Sequence, residues 1–123
     1  DVIVANENVS DTLFSLGAAI SGGFGNLCEG YLGDAATGLY KPAKVARFDA
    51  KNPHGVNPAG IILAAAKMLE YSFDKSLAKT AVENAVEEVI SQNFVTPDMK
   101  NKRDETQKVI STEEFTDEVI KRL

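Results

Sequence analysis

The first part of the chain has the pattern of a strand, a helix and a glycine turn. Residues 2–5 form an apolar, mostly β-branched run that is typical of a strand in the middle of a sheet. Ser10 can cap a helix whose apolar positions recur at helical spacing as far as Ala18. Gly22 and Gly23 then end it. We therefore predict a central strand over residues 2–5 and a helix that begins after Ser10.

Two short strands are predicted after the glycine turn. Residues 29–34 and 38–43 have strand-like composition and are separated by a turn around residues 35–37. No period is visible over residues 44–56, where Pro53 and Gly55 indicate a loop.

The second half of the chain is predicted to be mainly helical. Asn57 and Pro58 form a helix-start signal, with Asn as the cap and Pro in the first turn, and this helix is expected to reach about Phe73. Its apolar positions cover much of the circumference, which predicts a buried helix. They are Ile61, Leu63, Ala64, Ala65, Met68 and Leu69. Ser76 opens another helix with one apolar face.

Polar and charged residues separate these helices from the last one. The mixed charges of residues 100–105 are expected to stay solvated. Ser111 and Glu114 have the spacing of a capping box, in which each side chain satisfies a free backbone N–H of the other residue. The final helix is predicted to carry four apolar side chains inward: Phe115, Val119, Ile120 and Leu123. Helices mixed with a few strands predict an α/β fold.

Composition and charge narrow the classes of function without choosing one. The net charge of -5, from 13 Lys and Arg against 18 Asp and Glu, would repel phosphate backbones, so we expect no nucleic-acid partner. The longest apolar stretch, residues 61–69, is interrupted by Lys67 and is too short for a transmembrane segment. The single Cys28 cannot form an internal disulfide, which fits a reducing compartment and a role as a small apolar filler.

Several short motifs follow one another along nearly the whole chain. They occupy residues 8–13, 21–25, 31–34, 39–42, 56–69, 95–98 and 111–115. Residues 21–25, for example, are similar to a "G-G-x-G" turn, and residues 39–42 to an "L/V-F/Y-E-P" segment. In their order and spacing these motifs resemble the closing segments of the β-decarboxylating dehydrogenases, the family that includes isocitrate and isopropylmalate dehydrogenases.

The resemblance implies a fold, cofactors and partners. The implied fold is a three-layer α/β/α fold, of which residues 1–123 would form the C-terminal portion of one domain, with the N-terminal part missing. NAD and Mg²⁺ or Mn²⁺ are the implied cofactors. The implied partners are dehydrogenase-family subunits in a homo- or hetero-oligomer or a larger complex, and by analogy the apolar face of residues 11–20 would contact one of them. The implied compartment is the mitochondrial matrix in a eukaryote and the cytoplasm otherwise.

The resemblance also assigns a metal position, which is altered in this chain. In the family, two Asp residues four apart on one helical face hold the divalent cation. Asp11 matches the first, whereas Ser15 stands at the second and supplies no charge. A hard cation needs several carboxylate oxygens, so we expect Asp11 alone to hold the metal poorly. Asp11 can equally be a first-turn acid that the helix dipole favours.

The segment that wraps the cofactor in the family departs further from its pattern. Small residues there let the backbone approach the phosphates, but in this chain Val45 replaces a Gly and Phe48 replaces a Pro. Asp49 matches the residue that holds the ribose hydroxyls in NAD-preferring members, and Asn57 matches a residue beside the adenine. We therefore expect weak or vestigial cofactor binding through these two residues.

Other polar residues around this loop admit two interpretations each. Lys44 and Arg47 could meet an anion at an allosteric site through their side chains, or could be solvated loop charges. His54 is the sole histidine, so the chain by itself supplies no His pair or His-based metal cluster. We expect His54 to be a loop residue without a chemical role.

Three functions remain open from the sequence. The preferred hypothesis is a non-catalytic, regulatory subunit or fragment of an NAD-dependent isocitrate dehydrogenase-type enzyme of the tricarboxylic acid cycle. The second is a degenerate paralogue that serves as a structural subunit of a larger assembly. The third is an active isocitrate or isopropylmalate dehydrogenase with a divergent cofactor loop, whose site a neighbouring subunit completes. We assign no catalytic residue to this chain.

Overall fold

The computed structural model describes residues 2–35, 37–43 and 54–123, and its first element is the helix α1, Glu7–Ile20. Asn6, and not the predicted Ser10, caps α1, because its Oδ1 accepts a hydrogen bond from the Val9 N–H at 3.1 Å. The helix therefore begins a turn earlier than predicted. It ends as predicted, at Gly22 and Gly23, whose φ angles of 85° and 112° are accessible to glycine without strain.

The predicted central strand over residues 2–5 is wrong for this structure. The run is extended but assigned to no strand, and Val2, Ile3 and Val4 are 90%, 77% and 93% exposed. A strand exists only through hydrogen bonds to a neighbouring strand. Within the part of the chain that the structure describes, no strand pairs with this run. The apolar pattern therefore lacks the partner that it would need.

The two strands predicted after the glycine turn are present as an antiparallel hairpin. β1 is Cys28–Leu32 and β2 is Gly38–Pro42. A short 3₁₀ turn at Phe24–Asn26 leads into β1. The hairpin confirms the predicted strands and the turn between them, with ends that differ by one or two residues.

The hairpin has one packed face and one open face, because successive side chains of a strand point to opposite sides. Glu29 of β1 lies opposite Lys41 of β2 on the open face. Tyr40 points to the other side, where its hydroxyl lies 2.9 Å from the Ser72 Oγ at the end of the next helix. The packed face fixes the hairpin on the helical layer and leaves the open face available.

Two helices form the centre of the structure. α2 is Ala59–Tyr71 and α3 is Ser76–Ser91, and they pack against each other. The start of α2 lies at the predicted Asn57 and Pro58, with Pro58 and not Asn57 as the N-cap, and the Asn57 Oδ1 accepts a hydrogen bond from the Ala59 N–H at 2.8 Å. None of the helices that the structure describes is long and apolar enough to cross a membrane.

The prediction that α2 is buried around most of its circumference is wrong. Ile61 is 54% exposed and Met68 is 37% exposed. The buried positions of α2 are small residues: Ala59, Gly60, Ala64 and Ala66. A Cβ atom on Gly60 would lie 3.0 Å from the carbonyl oxygen of Leu27. The neighbouring backbone approaches so closely that only small side chains fit there.

The last part of the chain holds two short strands and a helix. β3, Phe94–Val95, pairs in parallel with β4, Lys108–Val109. Strands of two residues carry no detectable period, which explains why the pattern did not predict them. α4, Thr112–Ile120, begins with the predicted capping box, in which the Ser111 N–H donates to the Glu114 Oε2 at 2.8 Å.

α4 contributes the largest side chain of the core. Phe115 is fully buried and Val119 is 2% exposed, and both pack against the buried face of α3. The prediction that Ile120 and Leu123 also point inward is wrong, because they are 60% and 64% exposed. Each residue turns a helix by about 100°, so Ile120 leaves the stripe that contains positions 115 and 119.

Candidate functional site

An open groove of about 800 Å³ lies between residues 3–5, α1 and β1. Apolar residues make up much of its lining, and two carboxylate residues, Asp11 of α1 and Glu29 of β1, belong to the same lining. Grooves of this volume, with an apolar lining and a few polar groups, are typical of small-molecule sites. The groove is therefore the candidate site, and it contains the predicted metal position.

The hydroxyl of Ser15 is directed to the backbone of the preceding turn. The Ser15 Oγ donates a hydrogen bond to the carbonyl oxygen of Asp11 at 2.8 Å. This bond between residues four apart is a common arrangement for a helical serine. Both residues are exposed on α1, one turn apart as predicted. In residues 2–35, 37–43 and 54–123, no three His, Cys, Asp or Glu side chains are grouped to hold a metal ion.

Glu29 is the centre of a polar cluster on the open face of the hairpin, which sequence reasoning missed. Its Oε2 lies 2.8 Å from the Lys41 Nζ and accepts a hydrogen bond from the Tyr31 hydroxyl at 3.0 Å. The Lys41 ammonium also lies 5.5 Å from the centre of the Tyr31 ring. The bond from Lys41 holds the pKa of Glu29 below its ordinary value, and the same bond raises the pKa of Lys41.

The described residues of the groove do not fit a divalent metal ion. On α1, Asp11 has Glu7 four residues before it and the neutral Ser15 four residues after it, and of these three residues only Asp11 belongs to the groove lining. Glu29, the other carboxylate in the lining, is already paired with Lys41. Mg²⁺ and Mn²⁺ require several charged or carbonyl oxygens that are free to coordinate. The described groove lining offers one unpaired carboxylate, and the weak metal binding expected of Asp11 stays a prediction.

Asn57 joins three segments of the fold. Its Nδ2 donates to the Asn26 Oδ1 at 2.8 Å, and its Oδ1 accepts from the Ala59 N–H at 2.8 Å. Its backbone N–H donates to the Asp98 Oδ2 at 3.0 Å, and the residue is 9% exposed. A Cβ atom on Gly25 would lie 2.9 Å from the Nδ2. The amide is thus held by structural bonds, and its contact with a cofactor stays a prediction.

Residues 54–56, which precede Asn57, are anchored to the start of α4. The Thr112 hydroxyl accepts a hydrogen bond from the Val56 N–H at 3.1 Å, and the Thr112 N–H donates to the His54 carbonyl at 2.8 Å. The His54 Nδ1 lies 2.6 Å from the Glu113 Oε1 on the exposed surface. His54 is a loop residue, as predicted, and its imidazole serves as a contact to α4.

Three of the predicted site residues fall outside the described part of the chain. Lys44, Arg47 and Asp49 belong to residues 44–53, which the structure does not describe. The anion site at Lys44 and Arg47 and the ribose contact of Asp49 therefore stay predictions. Of the predicted site residues, Asp11 lies in the groove and Asn57 lies in the adjoining polar junction.

Two solved structures share this fold. Isocitrate dehydrogenase from Methylococcus capsulatus superposes with a TM-score of 0.73 at 28% identity, over 91% of this chain and 31% of that one. The TT0538 protein from Thermus thermophilus gives a TM-score of 0.72 at 22% identity, over 92% of this chain and 22% of that one, which supports the fold alone. The predicted α/β fold class is confirmed.

Sequence comparison gives the same family. The chain is 34% identical to 3-isopropylmalate dehydrogenase from Heyndrickxia coagulans and 35% identical to that from Rhodopirellula baltica, over its whole length. It spans about a third of each of these relatives, 33% and 34% of their lengths. The family model for isocitrate/isopropylmalate dehydrogenase matches residues 1–119. The chain therefore belongs to the isocitrate/isopropylmalate dehydrogenase family.

Proposed function

We propose that this chain is a non-catalytic part of an isocitrate/isopropylmalate dehydrogenase-type protein, kept for its fold and its contacts with other subunits. The observation that carries this proposal is the lining of the groove, in which Asp11 is the one unpaired acid among the described residues, while Ser15, four residues after it on α1, carries no charge. A dehydrogenase of this type needs its metal to stabilise the developing alkoxide. A chain that holds the metal poorly is better suited to a supporting role.

The cofactor side of the proposal rests on two observations. Asn57, at the family position beside the adenine, already uses its amide to join Asn26 to the start of α2. In the loop sequence, Val45 and Phe48 occupy the positions at which the family pattern has a Gly and a Pro. Those smaller residues let the backbone approach the phosphates of the cofactor. Both features favour weak NAD binding, with Asp49 as the remaining ribose contact.

The choice between a regulatory and a structural subunit belongs to the same proposal. The relatives named above are bacterial 3-isopropylmalate dehydrogenases, and these names give no support to a regulatory subunit, a mitochondrial location or the tricarboxylic acid cycle. They favour an isopropylmalate-type setting over the isocitrate setting expected from the sequence. In that setting we propose the cytoplasm as the compartment, and we favour a structural role for this chain over a regulatory one.

The partner surface in this proposal is the apolar face of α1. Leu13, Leu16 and Ile20 are 38%, 59% and 89% exposed, although they recur on one side of the helix. Apolar side chains that recur along one helix and stay exposed mark an interaction surface. We expect a dehydrogenase-family subunit to cover it.

An active enzyme is the second candidate, and a specific observation favours it. The relatives carry the names of enzymes, and the chain spans about a third of their length, 33% for the Heyndrickxia coagulans protein. The remainder of a longer protein, or a neighbouring subunit, would then have to supply the missing metal ligand and the acid–base groups.

A cofactor titration combined with an activity assay tests the proposal. The purified full chain is titrated with NAD in a calorimeter, alone and with any subunit that copurifies, and NADH formation is followed with 3-isopropylmalate or isocitrate and Mn²⁺. We expect no turnover from the chain itself and NAD binding weaker than millimolar. Micromolar binding, about -8 kcal/mol, together with turnover that depends on this chain, would favour the active enzyme instead. If the chain does not bind NAD but changes the kinetics of a partner subunit, the result would favour a regulatory subunit.

A further inference from the structure

The run of residues 2–5 has apolar side chains and no partner for its backbone. Within the described residues, its N–H and C=O groups bond to no other backbone group, and Val2, Ile3 and Val4 are 90%, 77% and 93% exposed. We propose that this run is a docking strand, which pairs edge to edge with an apolar strand of a dehydrogenase-family polypeptide outside this chain. The inference goes beyond the proposed function, because such pairing suits a catalytic and a non-catalytic assembly alike.

The side chains of the run favour a strand as its bound form. Val2, Ile3 and Val4 are β-branched, which restricts their rotamers and suits a pleated strand. Successive side chains of a strand point to opposite faces, so both faces of this strand would be apolar, as in sheets that are covered on both sides. Free strand edges are commonly protected by charged residues or Pro, and residues 2–5 contain neither. The run is therefore suited to being covered by a partner.

The groove beside the run enlarges the docking surface. Ile3 and Val4 line it together with Leu13 of α1. Leu13 also belongs to the exposed apolar face of α1, with Leu16 and Ile20. A pair of strands as short as residues 2–5 is marginally stable in water when it stands alone. The groove and α1 supply the further apolar area that a stable contact needs.

The sequence comparisons indicate the source of the partner strand. The family model matches residues 1–119, so the run lies inside the sequence that the family shares. The chain spans 33% of the Heyndrickxia coagulans relative, which leaves about two thirds of that polypeptide unmatched. An apolar strand from this unmatched portion fits a run that is apolar on both faces, whereas a charged strand would bury its charges without partners. The proposed occupant is therefore a strand from the portion of a family polypeptide that this chain does not cover.

Hydrogen exchange in a reconstituted complex tests the pairing directly. The intact chain is coexpressed with the portion of 3-isopropylmalate dehydrogenase from Heyndrickxia coagulans that it does not match. Amide exchange of residues 2–5 is followed by mass spectrometry in the complex and in the isolated chain. If the coexpressed portion is insoluble, one polypeptide that joins the two sequences is measured in its place, and circular dichroism checks that it is folded.

Two kinds of variant separate backbone pairing from apolar contact. Ile3→Pro and Val4→Pro each remove one N–H, and adjacent residues of a strand direct their N–H groups to opposite edges. Ile3→Val and Val4→Ile are their controls, since both keep the N–H and the β-branch. Ile3→Asp places a charge on the run. Leu77→Asp is its matched control, because Leu77 is 89% exposed on α3 and lies outside the groove lining.

We expect the amides of residues 2–5 to exchange about 100-fold more slowly in the complex than in the isolated chain. At least one proline variant and Ile3→Asp should weaken the complex about tenfold, while the controls leave its affinity unchanged. A stable complex with unprotected amides would overturn the proposal, and so would failure to form a folded assembly in either format. Protection in the isolated chain that rises with its concentration would also overturn it, and would identify a second copy as the partner.

Turnover of the complex separates this inference from the proposed function. Protected amides in a complex whose NADH formation depends on this chain would support the docking strand and refute the non-catalytic role. Unprotected amides without turnover would refute the docking strand and leave the non-catalytic role in place.

Discussion

Replacing Asn57 by Ala tests whether the polar junction beside the groove is structural. The substitution removes the acceptor of the Ala59 N–H and the donor to the Asn26 Oδ1, both at 2.8 Å. Loss of a helix-start bond costs about 1 kcal/mol. Ala59 is fully buried, so its N–H gains no water in exchange, and an unsatisfied buried group adds about 1–2 kcal/mol. We expect Asn57→Ala to lower the free energy of unfolding by about 2–3 kcal/mol.

Urea unfolding followed by circular dichroism measures this loss, with the midpoint shifted and the slope unchanged. Asn57→Ser keeps a side-chain oxygen near the Ala59 N–H but loses the amide donor, so we expect roughly half of the loss. Asn84→Ala is the matched control, since Asn84 is exposed on α3 and Ala favours helix there. We expect that control to change stability by less than about 0.5 kcal/mol.

Two results would refute this reasoning. A loss below about 0.5 kcal/mol for Asn57→Ala would mean that the junction does not support the start of α2. Equal losses for the Ser and Ala variants would mean that the bond to Asn26 carries the whole effect. The first result would release Asn57 from its structural role and strengthen its predicted contact with the adenine of a cofactor, whereas the second would assign that role to the bond with Asn26 and not to the helix start.

Three further predictions concern the core, a partly buried charge network and a helix start. Gly60→Ala should destabilise by about 1–3 kcal/mol in urea unfolding although Ala favours helix, because its Cβ would lie 3.0 Å from the Leu27 carbonyl. Burial is the largest single influence on Glu83 and opposes its ionisation, but the hydrogen bonds and charges of Lys79 and Lys67 together outweigh it and lower the Glu83 pKa below its ordinary value of 4.5. This stabilisation is present above that value and lost as the pH falls through the lowered pKa. The destabilisation by Glu83→Gln should therefore be largest near neutral pH and vanish in acid, whereas a constant difference would contradict the assignment. Ser111→Ala should cost about 1 kcal/mol and reduce the helical circular dichroism signal, and an unchanged midpoint would exclude a working capping box.

Most signals confined to a few residues predicted their part of the fold correctly, although Asn6 and not Ser10 caps α1. The capping box of Ser111 and Glu114 is present at the start of α4, and Gly22 and Gly23 end α1. The side chain of Asn57 bonds to the N–H of Ala59, the first residue of α2. Each of these signals works through hydrogen bonds or backbone angles within one turn of the chain, so it needs no knowledge of the rest of the molecule.

Predictions that depended on distant neighbours failed. The apolar pattern of residues 2–5 favoured a strand, but pairing requires a neighbouring strand that the pattern cannot supply. Ile61 and Ile120 were expected inside and lie outside, because the facing backbone at α2 and the direction of α4 select the buried positions. The cluster of Glu29 with Lys41 joins two strands, and only their register brings the charges together. Asp11 and Asn57 were found through family motifs and not through periodicity.

The two-sided hairpin has a consequence for how this family can change over evolution. On the packed side, Tyr40 contacts the end of α2, so a substitution there disturbs the framework. On the open side, Glu29 and Lys41 touch each other, and their identities can be exchanged without repacking the helices. Tolerance to mutation should therefore alternate from one residue to the next along both strands. Residues on the open face of the hairpin can therefore change, and the chemistry of the groove can be altered or lost, while natural selection preserves the fold.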